Sequence, residues 1–244
     1  MRTLTALLVI PLLGLAGNPA TADAVLTPHT AEYKVKISLL GGRLTTRLAR
    51  SDDVYVATHL IEPTGLAGAI AGGEILAESE FRADGDGILP LHYRGDDEVS
   101  SDKLRVDIEF DWNEQRAIGH YQTKDDPEPV AVDDAIDASI HDPVSIQYEL
   151  MVDLANGGSD SQYVLYEHDR IRSLTVTRIG TQTVETKAGT FEAVGIRHQA
   201  GSSSRSTTLW FSEKLDWLPV MIERHRKGKL QMRATLIRYQ PENE

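Results

Sequence analysis

The chain has 244 residues, 41% of them apolar and 6% aromatic, with 25 Lys and Arg against 37 Asp and Glu, for a formal net charge of −12. That balance excludes general affinity for nucleic acid, whose phosphates demand a basic surface, and argues against simple adhesion of the whole chain to anionic lipid. With no cysteine, disulfides, thiol catalysis and zinc–thiolate sites are excluded.

The chain opens MRTLTALLVIPLLGLAGNPATADA. One basic residue, a mostly apolar run from Leu4 to Ala16, a Pro-containing break and the small residues Ala20, Thr21 and Ala22 form the three-part pattern of a secretory signal, predicting cleavage after Ala22 and a periplasmic protein. The apolar run is too short for a bilayer-spanning helix, and no other stretch is apolar enough to span. Residues 23–244 are expected to form a single β-rich domain, with two β halves joined through residues 123–158 as the alternative layout.

Most of residues 23–244 read as short alternating strands bounded by Gly, Asp, Asn or Pro. Tyr33, Val35 and Ile37 share one face, Lys34 and Lys36 the other. Val54 and Val56 flank Tyr55. Residues 63–73, PTGLAGAIAGG, interrupt the pattern, and a short helix near 63–71 would place Leu66 and Ile70 on one face. Ala83-Asp84-Gly85-Asp86-Gly87 fails as a calcium loop, because position 5 is Ile88 and position 12 is Gly95. It reads instead as a hairpin turn. Val106, Ile108, Phe110 and Trp112 alternate with three acidic residues, and residues 117–122 return beside them. The acidic segment 123–137 reads as a linker.

At His141-Asp142-Pro143 the period changes. Asp142 can accept from backbone N–H groups ahead of it as an N-cap, Pro143 suits a first helical position, and Val144, Tyr148, Met151 and Ala155 recur at helical spacing. Asn156-Gly157-Gly158 supplies the stop. The His-Asp pair therefore predicts a central helix over 142–155 rather than a catalytic site. Strands are expected at 163–167, 173–179, 191–199 and 207–211. A closing hairpin is expected from 220–226 and 230–239 across Lys227-Gly228. The fold class expected is mainly β: an antiparallel barrel, curved half-barrel or sandwich of about a dozen strands with one central helix.

Charge is unevenly spread. From Glu74 to Asp142 there are 20 acidic and 6 basic residues; from Arg205 to Arg238 there are 3 acidic and 8 basic. Opposite charges pairing across neighbouring strands account for this; a basic face for an anionic partner is the alternative. No nucleophile elbow, P-loop, dinucleotide fingerprint or paired-histidine motif is present. No residue is assigned a catalytic role, and no metal or cofactor is expected.

In their order along the chain, AEYKVKISLLGG, THLIEPTGLAGAIAGG, GDGILPLHYR, DPVSIQYEL, VETKAGTFEAVGIRH and LWFSEKLDWLPVMIERHRKGK together resemble the exported bacterial family catalogued as the domain of unknown function numbered 3108. The resemblance implies a β-rich exported protein and supplies no activity or site residue. The function expected is a non-enzymatic binding or carrier protein for an apolar, lipid-like or envelope-derived ligand, with Leu66, Ile70, Trp112, Trp210 and Trp217 as candidate lining. Two alternatives remain open: an enzyme acting on envelope polysaccharide, and an interaction partner of an envelope complex docking through Arg224, Arg226, Lys227 and Lys229.

Overall fold

The computed structural model describes residues 26–37, 40–65, 68, 72–84, 87–137, 140–158 and 162–242. The predicted signal, together with Leu66 and Ile70, lies outside them. Fifteen strands form one sheet. In chain order they are β1 (His29–Ile37), β2 (Leu40–Ser51), β3 (Val54–Thr64), β4 (Ile75–Asp84), β5 (Gly87–Asp97), β6 (Arg105–Asp111), β7 (Arg116–Gln122), β8 (Val130–Ala135) and β9 (Ile140–His141). Helix α1 (Ser145–Ala155) comes next, then β10 (Gln162–Glu167), β11 (Arg170–Thr186), β12 (Gly189–Ala200), β13 (Arg205–Ser212), β14 (Leu218–Arg226) and β15 (Lys229–Pro241).

The sheet order is β8-β7-β6-β5-β4-β3-β2-β1-β15-β14-β13-β12-β11-β10-β9. All neighbours are antiparallel except β9 and β10. The two ends of the chain meet in the middle of the sheet, where β1 pairs with β15. This order fixes the curvature. β8 and β9 occupy opposite edges, which a flat sheet of fifteen strands would hold about 67 Å apart. Yet Ala135 and Ile140 are five residues apart in sequence, a reach of about 19 Å at most. The sheet is therefore curled into a half-barrel that does not close, with β9 and α1 lying on β5 and β4.

Nine of the eleven residues of α1 are buried, including Ser145, Gln147 and Glu149. A helix buried nearly all round occupies an interior. The main core gathers around it from both arms of the sheet: Leu48, Tyr55, Phe81, Ile108 and Phe110 from one, Tyr166, Leu174, Ile196 and Leu209 from the other. A second cluster joins Tyr33 and Val35 to Val220, Leu236 and the hairpin residues Val184 and Phe191.

Several expectations are corrected. The segment read as a linker contains β8, whose acidic residues suit a sheet edge. Pro63 and Thr64 belong to β3, and the rest of the short helix expected near 63–71 falls almost wholly outside the described residues. Ala155, expected on the packed face of the helix, is exposed.

Candidate functional site

The helix start is built as the sequence predicts. Asp142 Oδ1 accepts from the backbone N–H groups of Val144 at 2.7 Å and Ser145 at 2.9 Å. Ser145 Oγ in turn accepts from the Asp142 N–H at 2.9 Å, a reciprocal arrangement of the capping-box kind. Asp142 Oδ2 accepts from Ser79 Oγ at 2.6 Å, joining the helix start to β4. Burial raises the Asp142 carboxyl above its ordinary range, and the bonds from Ser79, Ser145 and Val144 oppose that shift. One turn on, Glu149 Oε2 accepts from the Ile88 N–H at 2.6 Å. Helix α1 is thus fixed to the sheet by two buried carboxylates, and Tyr148 between them is held in one place.

Tyr148 lies over a row of residues crossing β1 to β4. Ala31 pairs with Thr46, Thr46 with His59, and His59 with Ala77. The alanines at either end of the row leave the middle free for a ring from above. The Tyr148 ring centroid is 5.3 Å from that of Phe81 and 6.3 Å from that of His59. His59 Nε2 and the Tyr148 hydroxyl are buried without a hydrogen-bond partner, and the buried Thr46 hydroxyl lies beside that of Tyr33, which donates to the Pro219 carbonyl. Native interiors pair more than nine in ten of their polar groups, so two such atoms on neighbouring rings make this a candidate place for a polar group.

The set carries no charge. Burial lowers His59 to about 4, so the ring is neutral at pH 7, and burial raises the Tyr148 hydroxyl still further above its ordinary range. His29, a neighbour on β1, has its Nδ1 2.7 Å from the Thr27 carbonyl oxygen. A carbonyl only accepts, so Nδ1 carries the proton. Burial lowers this histidine too, and a neutral ring with Nδ1 protonated presents Nε2 as a bare acceptor. That atom is also buried and unpartnered. Hydroxyls and neutral imidazoles suit a hydroxyl, ester or amide group and not an ion, whose desolvation they could not offset.

Among the sequence-predicted lining residues, Trp112 and Trp217 are half-buried and pack against the same interior cluster as Tyr148. Trp112 donates from Nε1 to the Pro90 carbonyl at 2.5 Å. Trp217 follows Asp216, both with positive φ. Trp210 belongs with the second cluster, donating to Glu223 at 3.4 Å, so the three tryptophans do not converge. Arg224, Arg226, Lys227 and Lys229 are brought together at the β14–β15 hairpin, where Arg226 faces Lys229 directly.

A cavity of about 590 Å³ lies beside Asp97, Glu98, Arg105 and Asp126. Its lining contains no aromatic residue. Asp97 accepts from the Val99 and Ser100 N–H groups and Asp126 from Thr123, which is ordinary turn chemistry.

The polar residues around Tyr148 carry no spacing signature. One signal was nonetheless present: Leu44, Thr46 and Leu48 share the inward face of β2, and a polar residue stands between two leucines.

A family model described as "Protein of unknown function (DUF3108)" matches residues 30–235. Two solved structures show distant similarity. One is a protein with a YmcC-like fold from Bacteroides fragilis, at 12% identity and a TM-score of 0.36 over 88% of this chain and 96% of that one. The other is a candidate lipoprotein from Parabacteroides distasonis, at 12% identity and a TM-score of 0.40 over the same shares. No curated protein matches the chain.

Proposed function

The chain belongs to the DUF3108 family, whose description assigns no activity, and we propose that it is an exported, non-enzymatic protein that binds or carries an apolar, envelope-derived ligand bearing a neutral hydrogen-bonding group. The observation that carries this reading is the pair of unpartnered atoms on His59 and Tyr148, with the Thr46 hydroxyl one strand away, beside a large apolar cluster. Small-molecule sites have this composition: apolar walls with a few polar groups that orient the occupant. In this reading Tyr148 and Thr46 bond the ligand's hydroxyl or carbonyl, and Trp112 and Trp217 form part of the apolar wall. The N-terminal pattern supports export.

The test is displacement of an environment-sensitive apolar fluorophore. The protein is expected to enhance the probe's emission, and long-chain esters or alcohols to displace it. Tyr148→Phe and Thr46→Val should each weaken displacement by the ester about fivefold, since a lost hydrogen bond is worth roughly 1 kcal/mol. A protein that neither brightens the probe nor binds any long-chain compound ends the reading.

A further inference from the structure

The concave face changes character along the strands of its second arm. One cross-strand rung, Ile196–Leu209–Ile222–Ala234–Val35, is apolar. The next, towards the β14–β15 turn, runs His198–Thr207–Arg224–Met232–Ile37. The last is cationic, with Arg205 facing Arg226 and Arg226 facing Lys229. Like charges directly opposite one another destabilise a sheet, yet in a chain of net charge −12 this rung places three of them in a line.

The arginines elsewhere are satisfied. Arg233 bonds Glu223, Arg238 and Arg43 meet Glu32, and Arg116 meets Asp133. Among the described residues, Arg205, Arg224 and Arg226 are the arginines whose side chains have neither an ion pair nor a hydrogen bond. They are also adjacent, and they share a face with the exposed Ile37, at 47% of full exposure.

We infer that this lip, formed by Arg205, Arg224, Arg226 and Lys229, holds the phosphate headgroup of an anionic lipid whose apolar part lies against the partly open Met232 and Ile37 of the neighbouring rung. The inference rests on the carrier reading and names its ligand class. Planar guanidinium groups suit phosphate because their paired N–H donors match its oxygens. An anion placed among them would also relieve the repulsion within the rung. The whole-chain charge disfavours adhesion to anionic lipid, and the segregated lip reverses that locally.

The experiment compares soluble short-chain phosphatidylglycerol, phosphatidylcholine with the same acyl chains, and glycerol phosphate, using the full mature protein. Phosphatidylglycerol is expected to bind at least tenfold more tightly than either of the others, with the preference over phosphatidylcholine falling as salt rises. In R205Q/R226Q that preference should disappear while Tm rises, because two repelling charges are gone; arginines with a merely structural role would lower Tm when removed. The salt dependence of the wild-type protein tests the claim without any variant. Equal binding of the two lipids, or a preference that survives in R205Q/R226Q, overturns the headgroup assignment and leaves the carrier reading standing. Glycerol phosphate binding as tightly as phosphatidylglycerol overturns the lipid as the source of the anion. No binding of either lipid overturns the headgroup assignment, and the carrier reading falls with it only if the protein also fails to bind the apolar fluorophore.

Discussion

Ser79 on β4 donates its hydroxyl to Asp142 at 2.6 Å, with both residues buried and 63 positions apart in sequence. Asp142 also caps α1, so one carboxylate sets both where the helix begins and where it sits on the sheet. Removing it strands a hydroxyl and two backbone N–H groups in the interior. Asp142→Ala is expected to cost about 3–5 kcal/mol and Ser79→Ala about 1–3 kcal/mol, read from urea unfolding. A cost below about 1 kcal/mol for Asp142→Ala would show that the helix is held by packing alone.

Gly87 faces Glu149 in the same way at the next turn of the helix. Its φ is +131°, and a Cβ there would stand 2.9 Å from each carboxylate oxygen of Glu149. Gly87→Ala therefore meets both backbone strain and displacement of the Ile88–Glu149 bond. The expected loss is about 2–3 kcal/mol, with a concentration-independent fall in Tm. An unchanged Tm would mean that Glu149 has another position of equal energy.

Gly195 lies beneath Trp210. A Cβ would come within 2.7 Å of the indole and 2.8 Å of Ile179. Gly195→Ala is expected to destabilise by about 1–3 kcal/mol and to change tryptophan emission, because the indole must move. Retained emission together with lowered stability would place the strain on Ile179 instead.

Acid should weaken the fold. Burial holds His59, His141 and His198 each down to about 4, with Arg224 adding to the effect at His198. These rings are neutral in the folded protein, whereas in the unfolded chain they gain protons near their ordinary value of about 6.5. The stability they contribute is complete above about pH 6.5 and is lost as pH falls towards 4. Asp142, shifted upward by burial, works in the opposite direction and offsets part of this. Tm is expected to fall steadily between pH 7 and pH 4.5, and less steeply in His141→Phe. A flat profile over that range would contradict burial of these rings.

Local chemistry was the legible part of this fold. The cap at Asp142, the glycine stop after Asn156, the alternation of Val106, Ile108 and Phe110 and the turn at Lys227-Gly228 all depend on residues within a few positions of one another. The closure of the arc was not legible. The pairing of β1 with β15 joins residues about 200 positions apart, and no periodicity within either strand encodes it. β8 was hidden because Asp133 and Asp134 look like linker until Arg116 and Tyr166 are seen to meet them across the fold. The polar part of the candidate site was hidden for a related reason. Tryptophans stand out by size, but the N–H groups of Trp112 and Trp210 are already bonded. The polar groups of the candidate site belong to Thr46, His59 and Tyr148, ordinary residues that become conspicuous only when the register aligns two of them and the helix brings the third.

If the concave face holds an apolar ligand with a neutral polar group at Thr46, His59 and Tyr148, that ligand should travel with the protein. Native mass spectrometry of the mature protein, gently purified from its own cell envelope, reads this without a choice of probe. An added mass of several hundred daltons is expected, reduced in occupancy in Tyr148→Phe. A bare protein mass, unchanged after incubation with lipid extract from the same envelope, would contradict a ligand site on this face.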